Sequence, residues 1–152
     1  MRFRQTLKHR PGMENMKSKS PHNRRPSSAP RRKRLTILLV DDEPAMRMLV
    51  RMLLEYRSAA KVVEAASNAQ ALRAARRKKF DLVISDYGRA DGDGLAFLGE
   101  FKALNPKTPV MIFSGQAGAI RQRARRLGAS ACISKMIKQS ELKLVERVLA
   151  AA

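Results

Sequence analysis

Disulfides, membrane spans and nucleotide-binding loops have no basis in this sequence. Its 152 residues include one cysteine, Cys132, which excludes an internal disulfide and suits a reducing compartment. No apolar run is long enough to cross a bilayer. Arg24-Arg25 fits a twin-arginine export signal in part, but no apolar segment of signal length follows before Asp41. No Walker-type phosphate loop occurs, so the chain has no evident means of binding a nucleotide donor itself. The expectation is a cytoplasmic protein without a membrane span. Acids are also scarce, with 13 Asp and Glu against 32 Lys and Arg and a net charge of +19.

That charge is unevenly placed. Residues 1–34 hold twelve Lys or Arg against one acid, Glu14, together with Pro11, Pro21, Pro26 and Pro30 and a single aromatic, Phe3. Such a segment cannot bury enough apolar surface to offset its ordering entropy, so residues 1–34 are expected to form a disordered basic tail. Three readings of it stand side by side: an inert segment preceding a true start at Met13 or Met16, a nucleic-acid-binding arm working by phosphate neutralisation, or a contact for an acidic protein or membrane surface. Residues 35–152 carry twenty basic residues against twelve acids and are long enough for one folded domain.

From Leu35 the pattern alternates. LTILLV (35–40) is a short continuous apolar run, as expected of a strand covered on both faces. Pro44 then opens a predicted helix with Met46, Leu49, Val50, Leu53 and Leu54 on its apolar side. KVVEAA (61–66) reads as a second strand, followed by an alanine-rich helix whose end, Arg76-Arg77-Lys78-Lys79, complements the helix dipole. FDLVIS (80–85) is a third strand stopping at Asp86, and a loop, YGRADGDG (87–94), leads to a helix carrying Phe97, Leu98, Phe101 and Leu104. VMIFS (110–114) and ACIS (131–134) are the fourth and fifth strands, with a helix marked by Ile120, Ala124 and Leu127 between them. Ser140 is the expected cap of a last helix with Leu142, Val145, Val148 and Leu149. Five strands alternating with five helices predict an α/β fold: a doubly wound parallel sheet with right-handed crossovers and helices on both faces.

In a parallel sheet all carboxyl ends share one edge, where ligands bind. Asp41 and Asp42 follow the first strand, Asp86 the third, Ser114 ends the fourth and Lys135 follows the fifth. Three carboxylates, a hydroxyl and an ammonium thus converge. Carboxylates so close together repel and resist desolvation, and a hard cation turns that repulsion into shared coordination. Three carboxylates with waters can hold Mg²⁺, and a carboxylate can attack phosphorus to form an acyl phosphate. Lys135 offers a point charge to a phosphoryl oxygen and Ser114 a hydroxyl donor.

Asp41-Asp42-Glu43-Pro44, Asp86, Asp93-Gly94, Ser114 and Lys135, in this order and each near a strand end, resemble the receiver domain of two-component response regulators over about residues 35–150. The resemblance implies a five-stranded sheet of flavodoxin-like order 2-1-3-4-5. It implies phosphorylation of Asp86 by a histidine kinase or a histidine phosphotransfer protein, with Mg²⁺ held by Asp42, Asp86 and the backbone carbonyl of Gly88, and Asp41 acting through water. Ser114 and Lys135 would contact the phosphoryl group, and output would use the face of the fourth helix, fifth strand and fifth helix. A stand-alone regulator signalling by protein–protein contact, and not an enzyme, is the expected function. A nucleic-acid-associated protein whose tail, residues 1–34, is controlled by the receiver fold is the alternative. A Mg²⁺-dependent phosphatase is disfavoured, because such enzymes need an acid two residues after the nucleophile, where this chain has Gly88.

Departures from the family are informative. Arg89 and Ala90 stand where receivers usually have Met-Pro, and Met136 where the lysine is usually followed by proline. Cys132 replaces the Tyr or Phe that usually moves inward with the hydroxyl residue, so the output signal is expected to travel differently. Gly88 has no side chain to position an attacking water, and Gln116 is expected to take part of that role, giving neither very fast nor blocked self-hydrolysis. Asp91-Gly92-Asp93-Gly94 imitates the start of an EF-hand, but Leu95 and Lys102 fall where oxygen ligands are required.

Overall fold

The computed structural model describes residues 34–58 and 60–151, so the expected disordered tail and its possible partners lie outside the described residues apart from Arg34. Five strands, β1 (Thr36–Val40), β2 (Lys61–Ala65), β3 (Leu82–Asp86), β4 (Val110–Ser114) and β5 (Ala131–Ser134), pair in parallel in the order β2-β1-β3-β4-β5. Five helices, α1 (Pro44–Ser58), α2 (Asn68–Arg77), α3 (Gly94–Leu104), α4 (Ala117–Arg126) and α5 (Gln139–Ala150), fill the crossovers. The predicted doubly wound α/β fold and its strand order are what the chain adopts.

Strand alternation divides the core into two layers. Leu38 and Val40 of β1, Val83 of β3, Val110 and Ile112 of β4 and Cys132 of β5 meet α2, α3 and α4 on one side. Ile37 and Leu39, Leu82 and Ile84, Met111 and Phe113, and Ile133 meet α1 and α5 on the other. This double burial is why the strands read as unbroken apolar runs. Phe97 and Phe101 of α3 are completely enclosed, with ring centroids 5.7 Å apart, and the burial of each contributes roughly 2–3 kcal/mol.

Three helix details differ from expectation. On α1 only Val50 and Leu54 are buried, while Leu49 is 54% exposed. Leu49 lies one residue, about 100°, around the helix from Val50, and α1 meets the sheet on a stripe too narrow to include it. Leu104 and Leu127, at the ends of α3 and α4, are likewise exposed because the chain turns away from the sheet there. Ser140 does not cap α5. The helix starts at Gln139, and the Glu141 carboxylate accepts from the Lys138 N–H at 3.1 Å and from the Ser140 hydroxyl at 2.7 Å, which places Ser140 inside the first turn.

The segment after Asp86 is more ordered than a loop. Gly88–Arg89 pairs antiparallel with Gly92–Asp93, making a small hairpin turned by Ala90 and Asp91. Gly92 holds it at φ 133°, a region closed to most side chains. Gly94 then returns against the strand end, where a Cβ would lie 2.5 Å from the Asp86 carbonyl oxygen. Asp93 caps α3 by accepting from the Leu95 N–H at 2.8 Å.

Candidate functional site

Backbone ladders carry each predicted residue to the carboxyl edge of the sheet. Asp41 N–H donates to Ala65 O at 3.1 Å, Tyr87 N–H to Phe113 O at 2.9 Å, and Lys135 N–H to Ser114 O at 3.1 Å. Asp41, Asp86 and Ser114 are thereby fixed just inside the rim, and all three are buried. Lys135 reaches over them: its Nζ lies 3.0 Å from Asp86 Oδ1, 3.8 Å from Asp41 Oδ2 and 5.8 Å from the Phe113 ring centre. Asp41, Asp42 and Asp86 each present a carboxylate oxygen, and these atoms lie within 4.8 Å of one another. Glu43, third in the acidic run, points outward and stays exposed; its N–H instead donates to Asp41 Oδ1 at 2.8 Å.

One ammonium does not satisfy this set. Asp41 Oδ2 and Asp86 Oδ2 are buried and have no hydrogen-bond partner. Burial pushes the Asp41 carboxyl up from its ordinary value, the Glu43 N–H and Lys135 counter this, and the Asp86 and Asp42 charges add to the rise. Two orphaned anionic oxygens facing a third carboxylate are what an oxygen-seeking divalent cation requires. The residues present therefore fit Mg²⁺.

The remaining predicted residues are held in usable positions. Asp42 Oδ2 accepts from the Ala90 N–H at 2.8 Å, tying the hairpin to the β1 end. Gly88 N–H donates to Asp86 Oδ1 at 3.3 Å. Ser114 Oγ accepts from the Gln116 N–H at 3.0 Å, which leaves the hydroxyl proton free to donate elsewhere. Gln116 is exposed at the start of α4. Cys132 is buried against the α2–α4 layer, where burial raises its thiol and the nearby Arg121 opposes the rise.

Two neighbours of the site were not singled out by their chemistry. Arg89, known from sequence only as a departure, buries its side chain completely. Its guanidinium donates to the Asp86 carbonyl, to the Asn68 side-chain oxygen and to Ser85 Oγ at 2.8 Å, and it pairs with Asp91 at 3.4 Å. The charge also lies 5.5 Å from the centre of the Phe97 ring. Asn68 closes the circle by donating its N–H to Asp91, so the β3 exit is clamped to the start of α2. Arg47 similarly holds the Asp41 carbonyl at 2.7 Å. Asp91-Gly92 signals a tight turn near Arg89, one residue off the Ala90-Asp91 turn that forms, and gives no sign of the burial of Arg89.

The response regulator receiver domain family matches residues 37–147. This chain belongs to that family. A putative transcriptional regulator of Pseudomonas aeruginosa is 38% identical over 116 residues, covering 76% of this chain and 56% of that protein. The transcriptional regulatory protein ZraR of Escherichia coli K12 is 41% identical over 83 residues, covering 53% of this chain and 18% of that protein. Among solved structures, the receiver domain of NtrX from Brucella abortus superposes with a TM-score of 0.68 at 35% identity, covering 76% of this chain and 99% of that one. The chemotaxis response regulator CheY4 of Vibrio cholerae gives 0.68 at 25% identity, covering 76% and 98%. The receiver chain thus spans about half, or less, of the length of these curated relatives. Receivers are signalling modules of two-component systems, interact with histidine kinases and generally bind Mg²⁺ at an acidic pocket. No described helix of this one is long and apolar enough to cross a membrane.

Proposed function

We propose that this receiver accepts a phosphoryl group on Asp86 from the phosphohistidine of a kinase or phosphotransfer protein. The observation that carries the reading is the buried Asp41–Asp86 pair, with two unpartnered oxygens and a single ammonium 3.0 Å from Asp86. In the transfer, an Asp86 carboxylate oxygen bonds to phosphorus, the P–N bond breaks, and the donor imidazole leaves with the electron pair and takes a proton. Lys135, freed from part of its contact with Asp86, pairs with a phosphoryl oxygen, and Ser114 donates its free proton to another. Asp41, Asp42, Asp86 and the Gly88 carbonyl would hold Mg²⁺, which when bound neutralises charge on the entering group. Gly88 provides no side chain to orient an attacking water toward the acyl phosphate.

We further infer that residues 35–152 form the receiver domain, that the protein acts in the cytoplasm, and that its output is a protein–protein contact at the α4–β5–α5 face. Cys132, smaller than the Tyr or Phe that receivers usually carry there, and Arg121 and Arg125 of α4 border a groove with Arg147 and Glu141. The test is intact-mass spectrometry after incubation with a small acyl phosphate, with and without Mg²⁺. A metal-dependent gain of one phosphoryl group in wild type and none in Asp86→Asn is expected. An equal gain in folded Asp86→Asn would reject the assignment.

A further inference from the structure

The folded domain separates its charge in a way that the phosphoacceptor site does not explain. Residues 68–79, 94–107 and 117–128, which comprise α2, α3, α4 and their exits, contain eleven Lys or Arg and one acid, Glu100. The rest of residues 35–152 contains nine Lys or Arg against eleven acids. All three helices cover the same side of the sheet and run back from its carboxyl edge to its amino edge. Their basic C-terminal ends therefore gather at the edge opposite Asp41 and Asp86, roughly 15 Å away across a five-residue strand.

These ends form a continuous belt. Arg76, Arg77, Lys78 and Lys79 border one groove with Leu104 and Asn105 at the end of α3. Lys102 of α3 lies beside Gly128, just past the C-cap of α4, and donates to the Thr108 carbonyl at 2.7 Å. Arg123, Arg125 and Arg126 then continue the belt along the last turns of α4. Apart from Lys102, every basic residue of the three segments is exposed, and none of them forms an ion pair among the described residues. A helix dipole favours one or two cations in each last turn, which accounts for the sign of the ends but not for the near absence of acids between them.

We infer that this belt binds the phosphate backbone of nucleic acid, through the folded domain and independently of the Asp86 chemistry. A protein partner would ask for an apolar centre, and the belt offers only the two exposed leucines, Leu104 and Leu127. A membrane-lying helix inserts an apolar face between headgroups, and the belt offers none beyond these two leucines. A broad, arginine-rich and nearly acid-free surface matches the polar, strongly positive character of nucleic-acid interfaces. The contact is expected to be independent of base sequence, since no aromatic side chain is exposed on the belt for stacking.

The test is fluorescence anisotropy of the full-length chain on a labelled 20-base-pair duplex between 50 and 200 mM NaCl. Two triple variants with equal charge loss are compared, both verified as folded by circular dichroism. One removes belt charges (Arg77→Gln, Arg125→Gln, Arg126→Gln) and the other removes charges elsewhere (Lys61→Gln, Lys138→Gln, Lys143→Gln). The belt triple is expected to lower the slope of log affinity against log salt by about 2–3, as for two or three lost phosphate contacts, and to weaken binding at 100 mM by tenfold or more. The control triple should keep the wild-type slope to within about 1. Equal losses in the two triples would overturn the belt. So would failure of wild type to bind duplex at 50 mM, or belt-dependent capture only by phosphatidylserine vesicles and not by DNA.

Discussion

The acidic pocket stores instability, and Asp41→Asn measures it. Asp41 is buried, keeps one oxygen without a hydrogen bond and stands beside two other carboxylates. Its folded-state pKa is raised, first by burial, so the folded protein favours the protonated form more than the unfolded chain does. For an acid of raised pKa the sign is fixed: the penalty is absent below the unfolded value, grows as pH climbs from there to the folded value, and is fully present above it. At neutral pH without divalent cations, replacing the charge with an isosteric amide should therefore stabilise the fold. An unsatisfied buried polar group costs about 1–3 kcal/mol, more if charged, and Lys135 at 3.8 Å offsets part of that, so a gain of about 1–2 kcal/mol is expected. For a domain of this size that is a rise in Tm of roughly 3–8 °C. The assay is thermal and urea denaturation of wild type and Asp41→Asn in EDTA, from the ordinary carboxylate pKa of 3.8 up to neutral pH, and again with Mg²⁺. Wild type should lose stability relative to the variant as pH rises. It should also gain more from the cation, about 1.4 kcal/mol at tenfold excess over Kd. A variant less stable than wild type at pH 7 in EDTA would refute the reasoning, because it would mean that Lys135 more than offsets the burial of Asp41.

Other consequences follow from the same geometry. Lys135→Met removes the ammonium that competes with a cation for Asp86, so Mg²⁺ should bind several-fold more tightly by calorimetry while transfer from an acyl phosphate slows at least tenfold; slower transfer with unchanged Mg²⁺ affinity would contradict the competition. Gly88 has no atom within 4 Å of where a Cβ would sit, so Gly88→Asn should fold normally and shorten the life of the acyl phosphate several-fold by orienting water, read as the decay of phosphorylated protein after removal of donor.

Residues at strand ends were legible in the sequence because their positions follow from the strands themselves. A strand covered on both faces must be apolar without interruption, so its polar terminus announces the edge of the sheet, and Asp41, Asp86, Ser114 and Lys135 were located that way. The strand order was legible only through family resemblance, since the alternation of elements alone permits others. Contacts that depend on backbone turns were not legible. Arg89 stood out in the sequence only as a departure from the family pattern, whereas the hairpin folds it back beneath Asp86, where Asn68, Ser85 and Asp91 stabilise its burial. Little local to Arg89 specifies that, because apart from Asp91 its partners come from α2 and β3. On α1, periodicity marked five apolar positions, but only the approach of the sheet decides that Val50 and Leu54 are buried and Leu49 is not. The charge asymmetry was visible in Arg76-Arg77-Lys78-Lys79 and in the arginines of α4, yet their meeting at one edge required the crossovers to be in place.

The central claim is that Asp86 carries the phosphoryl group, and the most direct measurement locates it chemically. The protein is phosphorylated with an acyl phosphate and Mg²⁺, reduced at once with borohydride, digested and sequenced by mass spectrometry. Reduction of an aspartyl phosphate yields homoserine at that position. Homoserine at position 86 alone, and none when Mg²⁺ is omitted, is the predicted result. Homoserine at Asp41 or Asp42, or none anywhere in a protein shown to be folded, would contradict the account.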